Sequence, residues 1–156
     1  MSSWNLYEFI EFLRIHRNSM RSDILRCHKY IYIYMHIYRY PQEIQNSKNL
    51  QNTKFIWIET PSNPLMKIID IKNTVNIASE FKLPVICDNT FASPYNQRPL
   101  ELGADMVVSS STKYLGGHSD IVGGSIVIKE NKEYAEKISF IQNAVGAVPS
   151  PFDCYL

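Results

Sequence analysis

Lys113 stands in a setting unlike that of the other lysines. It closes the run Ser109-Ser110-Ser111-Thr112, which follows directly on the apolar stretch Met106-Val107-Val108. Behind it come Gly116-Gly117-His118-Ser119-Asp120 and a second glycine pair, Gly123-Gly124, leading into a further apolar run, Ser125 to Ile128. A lysine just past a strand end, with the Ser110 and Thr112 hydroxyls and the N–H groups of a tight turn beside it, neighbours a concave anion site. Desolvation or a nearby cation that lowers the amine from its usual ~10.4 makes it a nucleophile. The chemistry that suits such an amine is Schiff-base formation, and an aldehyde cofactor carrying a phosphate would use both halves of the site.

Two further polar residues belong to the same argument. Asp88 ends the apolar triplet Val85-Ile86-Cys87, which places its carboxylate at a strand end and partly out of water, where it needs a cation or several donors. It can cap a helix, pair with a lysine, or hold the proton on a pyridine nitrogen and so make that ring an electron sink. Asn63 lies in the proline-bounded loop Thr60-Pro61-Ser62-Asn63-Pro64; it is either a turn residue or a donor to a ring oxygen. His118 has no second histidine near it in residues 53–156 and reads as a loop brace rather than a metal ligand. A Gly-x4-Gly-Lys phosphate loop is absent, and so is any metal-ligand spacing.

The elements that must position these residues alternate in type. Phe55 to Ile58 reads as a buried strand closed by Glu59. Asp70 then caps a helix carrying Ile71, Val75, Ala78 and Phe81 on one face, and Leu83-Pro84 breaks it. Val85 to Cys87 is the second strand, Asn89 to Arg98 a loop, and Pro99 to Leu102 a single helical turn stopped by Gly103. Met106 to Ser110 and Ser125 to Ile128 follow as strands. Asn131 opens a helix with Tyr134, Ile138, Ile141 and Val145 on one side, and Ser150-Pro151 starts another. Strand, helix, strand, short helix, strand is the rhythm of an α/β fold with a parallel sheet, in which ligands collect beyond the carboxyl ends of the strands. Those ends carry Glu59 with the Asn63 loop, Asp88 with Asn89 and Thr90, and Ser110 with Thr112 and Lys113.

Composition narrows the partners. A formal charge of +1 over 156 residues, with no basic stripe, gives no case for nucleic acid or an anionic membrane. Three widely spaced cysteines, Cys27, Cys87 and Cys154, argue against a disulfide framework and a Cys-x-x-Cys zinc site, and point to a reducing, cytoplasmic compartment.

Residues 53–156 resemble the cystathionine γ-lyase branch of the Cys/Met-metabolism family of pyridoxal-phosphate enzymes. The resemblance rests on Ile58-Glu-Thr-Pro-Ser-Asn-Pro, on Val85-Ile-Cys-Asp-Asn-Thr-Phe with Ser93-Pro-Tyr, on Gln97-Arg-Pro-Leu, and on Ser110-Ser-Thr-Lys-Tyr with Gly117-His-Ser-Asp. The end of the chain, Gln142-Asn-Ala-Val-Gly-Ala-Val-Pro-Ser-Pro-Phe-Asp-Cys-Tyr-Leu, points to the γ-lyase branch. The resemblance implies part of the parallel-sheet large domain of a fold-type I enzyme (aspartate-aminotransferase-like). It implies pyridoxal 5′-phosphate, with Lys113 as the Schiff-base lysine, Asp88 on the pyridine nitrogen, Ser110 and Thr112 on the phosphate, and Asn63 on the 3′ oxygen. It further implies cleavage of the small sulfur amino acid L-cystathionine to cysteine, 2-oxobutyrate and ammonia, and a homo-oligomer, a tetramer in the full-length family. Methionine γ-lyase and cystathionine β-lyase are sibling activities, and a non-catalytic piece docking on a full-length family member is the alternative outside enzymes. The family's earlier phosphate loop, stacking aromatic and Tyr/Arg pair find no match in residues 1–52, and its C-terminal domain with a carboxylate-binding arginine is not matched either. The chain is therefore expected to be a fragment with little or no turnover.

Residues 1–52 are atypical. Met1 to Tyr40 lacks the pattern of a secretory signal, and Tyr30 to Tyr38 is too short to span a bilayer. Tyr30-Ile-Tyr-Ile-Tyr-Met-His-Ile-Tyr-Arg-Tyr alternates two β-formers, which as protein is either a flat hydrophobic strand behind an amphipathic helix at Trp4 to Leu13 or an aggregation hazard. A TA-dinucleotide repeat encodes the same alternation, since TAT and ATA are Tyr and Ile codons. We expect the segment to be translated non-coding sequence. Sequencing the spliced transcript checks this: the repeat should be missing, and a message carrying it in frame would overturn the idea.

Overall fold

The computed structural model describes residues 53–156, so the helix and strand expected before residue 52 lie outside the described residues. The described chain forms a mixed α/β unit around a four-stranded sheet in the order β1 (Ile56–Glu59), β2 (Val85–Asp88), β3 (Met106–Ser110), β4 (Gly124–Ile128). Strands β1, β2 and β3 run parallel, with Glu59 opposite Asp88 and Asp88 opposite Val108.

Side chains alternate across a sheet, and here both faces are apolar, which is why these strands read as unbroken hydrophobic runs. Ile56, Ile58, Val85 and Cys87 pack with Ile69, Ile71, Ile77, Ala78 and Ala104. Trp57, Ile86 and Met106 form the second cluster, joined by Phe55, Val108, Ile128, Tyr134 and Ile138.

Helix α1 (Ile71–Glu80) covers the first face. The Asp70 carboxylate caps it, accepting from the Asn73 N–H at 2.9 Å. Burial of Ile71 and Ile77 stabilises the packing by about 2 kcal/mol each. The expected stripe of Ile71, Val75 and Ala78 faces inward, but Phe81 does not: the helix ends at Glu80, Phe81 becomes the exposed cap, and Thr74 and Ile77 occupy the core instead. The loop from Asn89 to Arg98 also differs, enclosing one short helix, α2 (Ser93–Asn96).

Helix α3 (Lys132–Val145) covers the second face. Asn131 caps it through the Tyr134 N–H at 3.1 Å, and Tyr134, Ile138 and buried Ile141 point inward as the spacing predicts. Val145 is 53% exposed, one turn beyond the reach of the sheet. Helix α4 (Pro151–Tyr155) follows, capped by Ser150 through the Asp153 N–H at 3.0 Å. No helix among the described residues is long and apolar enough to cross a membrane.

Strand β4 is antiparallel to β3. A parallel return needs a crossover of about a dozen residues or more, usually a helix that carries the chain back along the sheet. The connection from β3 to β4 contains only a π-helical turn, Ser111–Leu115, and a loop, so the chain turns round at the carboxyl end and comes straight back.

Cys87 is fully buried, and burial, with the Asp88 carboxylate beside it, pushes its thiol from the ordinary 9.0 up to about 12. Tyr134 is raised as well, by burial first and then by Asp105 and Glu133. A raised acid holds its proton longer in the folded chain than in the unfolded one. The stability it contributes is complete below the unfolded value and is lost as pH rises through the folded value. Urea unfolding midpoints should therefore fall from about pH 8 to about pH 10. The fall should be shallower in Cys87→Ala; an equal slope in that variant would show that the thiol carries none of it.

Candidate active site

The carboxyl ends of β1, β2 and β3 lie side by side, and the chain leaves each of them into a polar loop. Asp88 is half-buried at the end of β2, and its Oδ1 accepts the Thr90 N–H at 3.0 Å. The Thr90 hydroxyl oxygen in turn accepts the Ser110 N–H at 2.8 Å. One threonine therefore ties the end of the strand bearing Asp88 to the end of the strand bearing Ser110.

Lys113 sits in the π-helical turn that follows Ser110. Gly116 N–H reaches back to the Ser111 carbonyl at 2.8 Å, and Gly117 N–H to the Lys113 carbonyl at 2.8 Å. The backbone kinks at Lys113 itself, where φ is −96° and ψ −120°. Gly116 has to be glycine here, since a Cβ would lie 2.7 Å from the Ser111 carbonyl oxygen. Lys113 is exposed, and among the described residues its side chain enters no hydrogen bond or ion pair. The desolvation that the sequence suggests for this amine is not supplied by the described residues.

The turn is fastened to β4 through Gly123. Its carbonyl accepts from the Ser111 N–H at 2.9 Å, the Thr112 N–H at 3.4 Å and the Thr112 hydroxyl at 3.3 Å. Its own N–H donates to the Thr112 hydroxyl oxygen at 2.9 Å. Here the structure differs from expectation: the first two N–H groups of the turn face Gly123 and are not offered to an anion. His118 braces the loop, its Nδ1 lying 2.9 Å from the Gly116 carbonyl oxygen. Tyr114 meets Phe91 edge to face with ring centroids 6.0 Å apart, joining the lysine turn to the loop after β2.

The Asn63 loop is held to the same rim at one remove. Buried Asn89 donates to the Gln97 carbonyl at 2.9 Å, and the Gln97 amide donates both to Asn89 Oδ1 at 2.9 Å and to the Thr60 carbonyl at 2.8 Å. Thr60 Oγ1 takes the Ile69 N–H at 3.0 Å, and Ser62 closes the loop against Lys67. Asn63 itself is exposed, and no hydrogen bond among the described residues joins it to Asp88, Ser110, Thr112 or Lys113. Asp88 and Ser110 are thus linked through Thr90, and Thr112 is tied separately to Gly123, whereas Asn63 and the Lys113 side chain are placed only by their loops.

Residues 28–156 match the family described as Cys/Met metabolism PLP-dependent enzyme. The chain belongs to that family. The match begins within the segment set apart above and takes in the Tyr/Ile alternation. A probable cystathionine γ-synthase of Herpetosiphon aurantiacus is 60% identical over 105 residues, which are 67% of this chain and 33% of the relative. A cystathionine β-lyase of Coxiella burnetii is 52% identical over 104 residues, 67% of this chain and 27% of the relative. The crystal structure of a cystathionine γ-lyase from Lactobacillus plantarum, complexed with L-serine, superposes with a TM-score of 0.61 at 48% identity, over 65% of this chain and 26% of that one. The chain thus spans about a third or less of the length of these relatives. γ-Synthases, which the sequence reading did not weigh, stand beside lyases among the family members most like it.

The parts of the site that sequence reasoning missed are the fasteners: Thr90, Gln97 and above all Gly123, whose role lies in its carbonyl. Asn89 carried a weak signal as a polar residue directly after an apolar strand, and Gln97 stood out only within the motif Gln97-Arg-Pro-Leu. The Gln97 amide serves two buried acceptors, so Gln97→Leu would leave Asn89 Oδ1 and the Thr60 carbonyl without donors. That should cost roughly 2–4 kcal/mol in urea unfolding. A loss below about 0.5 kcal/mol would mean that water replaces the amide there.

Proposed function

We propose that this chain carries the cofactor half-site of a pyridoxal-phosphate enzyme that acts on cystathionine, and that the reaction is cleavage at the γ-carbon–sulfur bond. The observation that carries the first part is the gathering, at one rim, of an exposed amine, a half-buried carboxylate and a strand-end hydroxyl on a hydrogen-bonded frame. The chemistry of the donor set fits the cofactor. Lys113 offers an amine that no acid engages; Asp88 retains Oδ2 beyond the Thr90 bond; and the Ser110 hydroxyl has no internal partner among the described residues. The bound cofactor supplies an electron-withdrawing ring that takes up the charge left when Cα loses its proton.

The residues of this chain do the rest. Lys113 holds the cofactor aldehyde and, once released, moves the proton at Cα. Asp88 keeps a proton on the pyridine nitrogen, Ser110 and Thr112 bind the phosphate, and Asn63 orients the ring oxygen. With water as co-reactant, cystathionine then gives cysteine, 2-oxobutyrate and ammonia. Motifs running to the chain's last residues support the γ-lyase branch, and assembly as a homo-oligomer in the cytoplasm belongs to the same proposal. Water is not excluded from Lys113 by the described residues, so the 156-residue chain alone is expected to hold cofactor with little turnover.

A spectral titration of the purified chain with pyridoxal phosphate, followed by borohydride reduction and peptide mapping, tests the half-site. One new absorbance band, trapped on Lys113 and absent in Lys113→Ala, is expected; scattered labelling of many lysines would sink the proposal. The keto acid formed from cystathionine separates the activities: 2-oxobutyrate for γ cleavage, pyruvate for β cleavage.

A further inference from the structure

Thr112 is bonded in a way that a ligand for phosphate does not require. Its hydroxyl oxygen accepts the Gly123 N–H at 2.9 Å, while its hydrogen points to the Gly123 carbonyl over the longer 3.3 Å. Gly123 also takes the Ser111 and Thr112 N–H groups, so three donors at the start of the lysine turn end on this one residue, the one directly before the neighbouring strand. A Cβ at Gly123 would stand 2.6 Å from the Ser111 hydroxyl, so the Ser111 side chain would have to turn away to admit one.

We propose that Thr112 is the positioning residue of the site: its hydroxyl latches the turn to Gly123 and thereby fixes where the Lys113 amine is presented. A hydroxyl has one hydrogen and two acceptor lone pairs. The short bond uses a lone pair and the long bond uses the hydrogen. An arriving phosphate can take the hydrogen from the Gly123 carbonyl while the 2.9 Å bond from the Gly123 N–H stays in place. The latch therefore exists before cofactor binds and survives it, and Thr112 holds the lysine by a bond that a phosphate contact alone would not explain. This goes beyond the cofactor reading, and only the labelling half of its test rests on that reading.

Amide hydrogen exchange on the purified chain reads the latch without any cofactor. The Gly123 amide should be protected in the wild type. Relative to the β2 amides, which report global unfolding, it should exchange roughly fivefold faster or more in Thr112→Val and normally in Thr112→Ser. Labelling then separates the latch from a phosphate contact. Trapping on Lys113 should fall in Thr112→Val with pyridoxal, which has no phosphate, as well as with pyridoxal phosphate, where the lost phosphate contact adds to the fall, and serine should restore both. If pyridoxal labelling is unchanged and only pyridoxal phosphate labelling falls, the hydroxyl is a phosphate ligand and the latch is wrong. An unprotected Gly123 amide in the wild type or in Thr112→Ser overturns the latch as well, even where Thr112→Val unfolds. Normal Gly123 protection with no selective Lys113 trapping by either aldehyde would instead fault the cofactor reading and leave the latch standing.

Discussion

Parallel pairing of β1, β2 and β3 is the constraint on which the rest depends. β1 and β2 are buried on both faces along their first three residues, so no polar side chain leaves them until the strand runs out. In β1 and β2 the first three residues are buried and the fourth is not, and that fourth residue is Glu59 or Asp88. Parallel direction then puts these exits at the same end. The polar rim is what remains when two apolar layers have used every other position.

Holding the rim in shape falls to polar groups whose partners are backbone. Asn89 and Gln97 bridge the loop after β2 to the Thr60 carbonyl, Thr90 bridges Asp88 to the Ser110 N–H, and Gly123 collects the lysine turn. Bonds of this kind are worth about 1 kcal/mol each when made and more when broken inside the protein. They act as sets, since Asn89, Gln97 and the Thr60 carbonyl share one group of bonds and Asp88, Thr90 and the Ser110 N–H another. Of the side chains proposed to do chemistry, Asp88 and Thr112 take part in such bonds, whereas Lys113 and Asn63 are exposed and make no side-chain hydrogen bond among the described residues.

Much of this was legible in the sequence because the signals were local. Asp70, Asn131 and Ser150 cap helices through their side chains as their types suggest, and each short apolar run read as a strand became one. The strand ends named Asp88 and Ser110 for the same reason. What failed was decided at longer range. Phe81 fits the period of α1 but falls past its last residue, and Val145 fits α3 but lies beyond the sheet it would pack on. Gly123 gave no sign, because a glycine in a glycine pair looks like a turn whether or not its carbonyl holds three donors.

The direction of β4 was hidden too, and it bears most directly on the site. A short apolar run reads the same either way. Had β4 run parallel, its first residue would lie at the amino end of the sheet, far from the lysine turn. Running back antiparallel, it begins where β3 ends, with Gly124 opposite Ser110. That puts Gly123, the residue before the strand, against Ser111 and Thr112, the residues after the other one. The lysine turn therefore closes on the start of its own neighbour strand. The reversal of the sheet and the placement of Lys113 are one structural event.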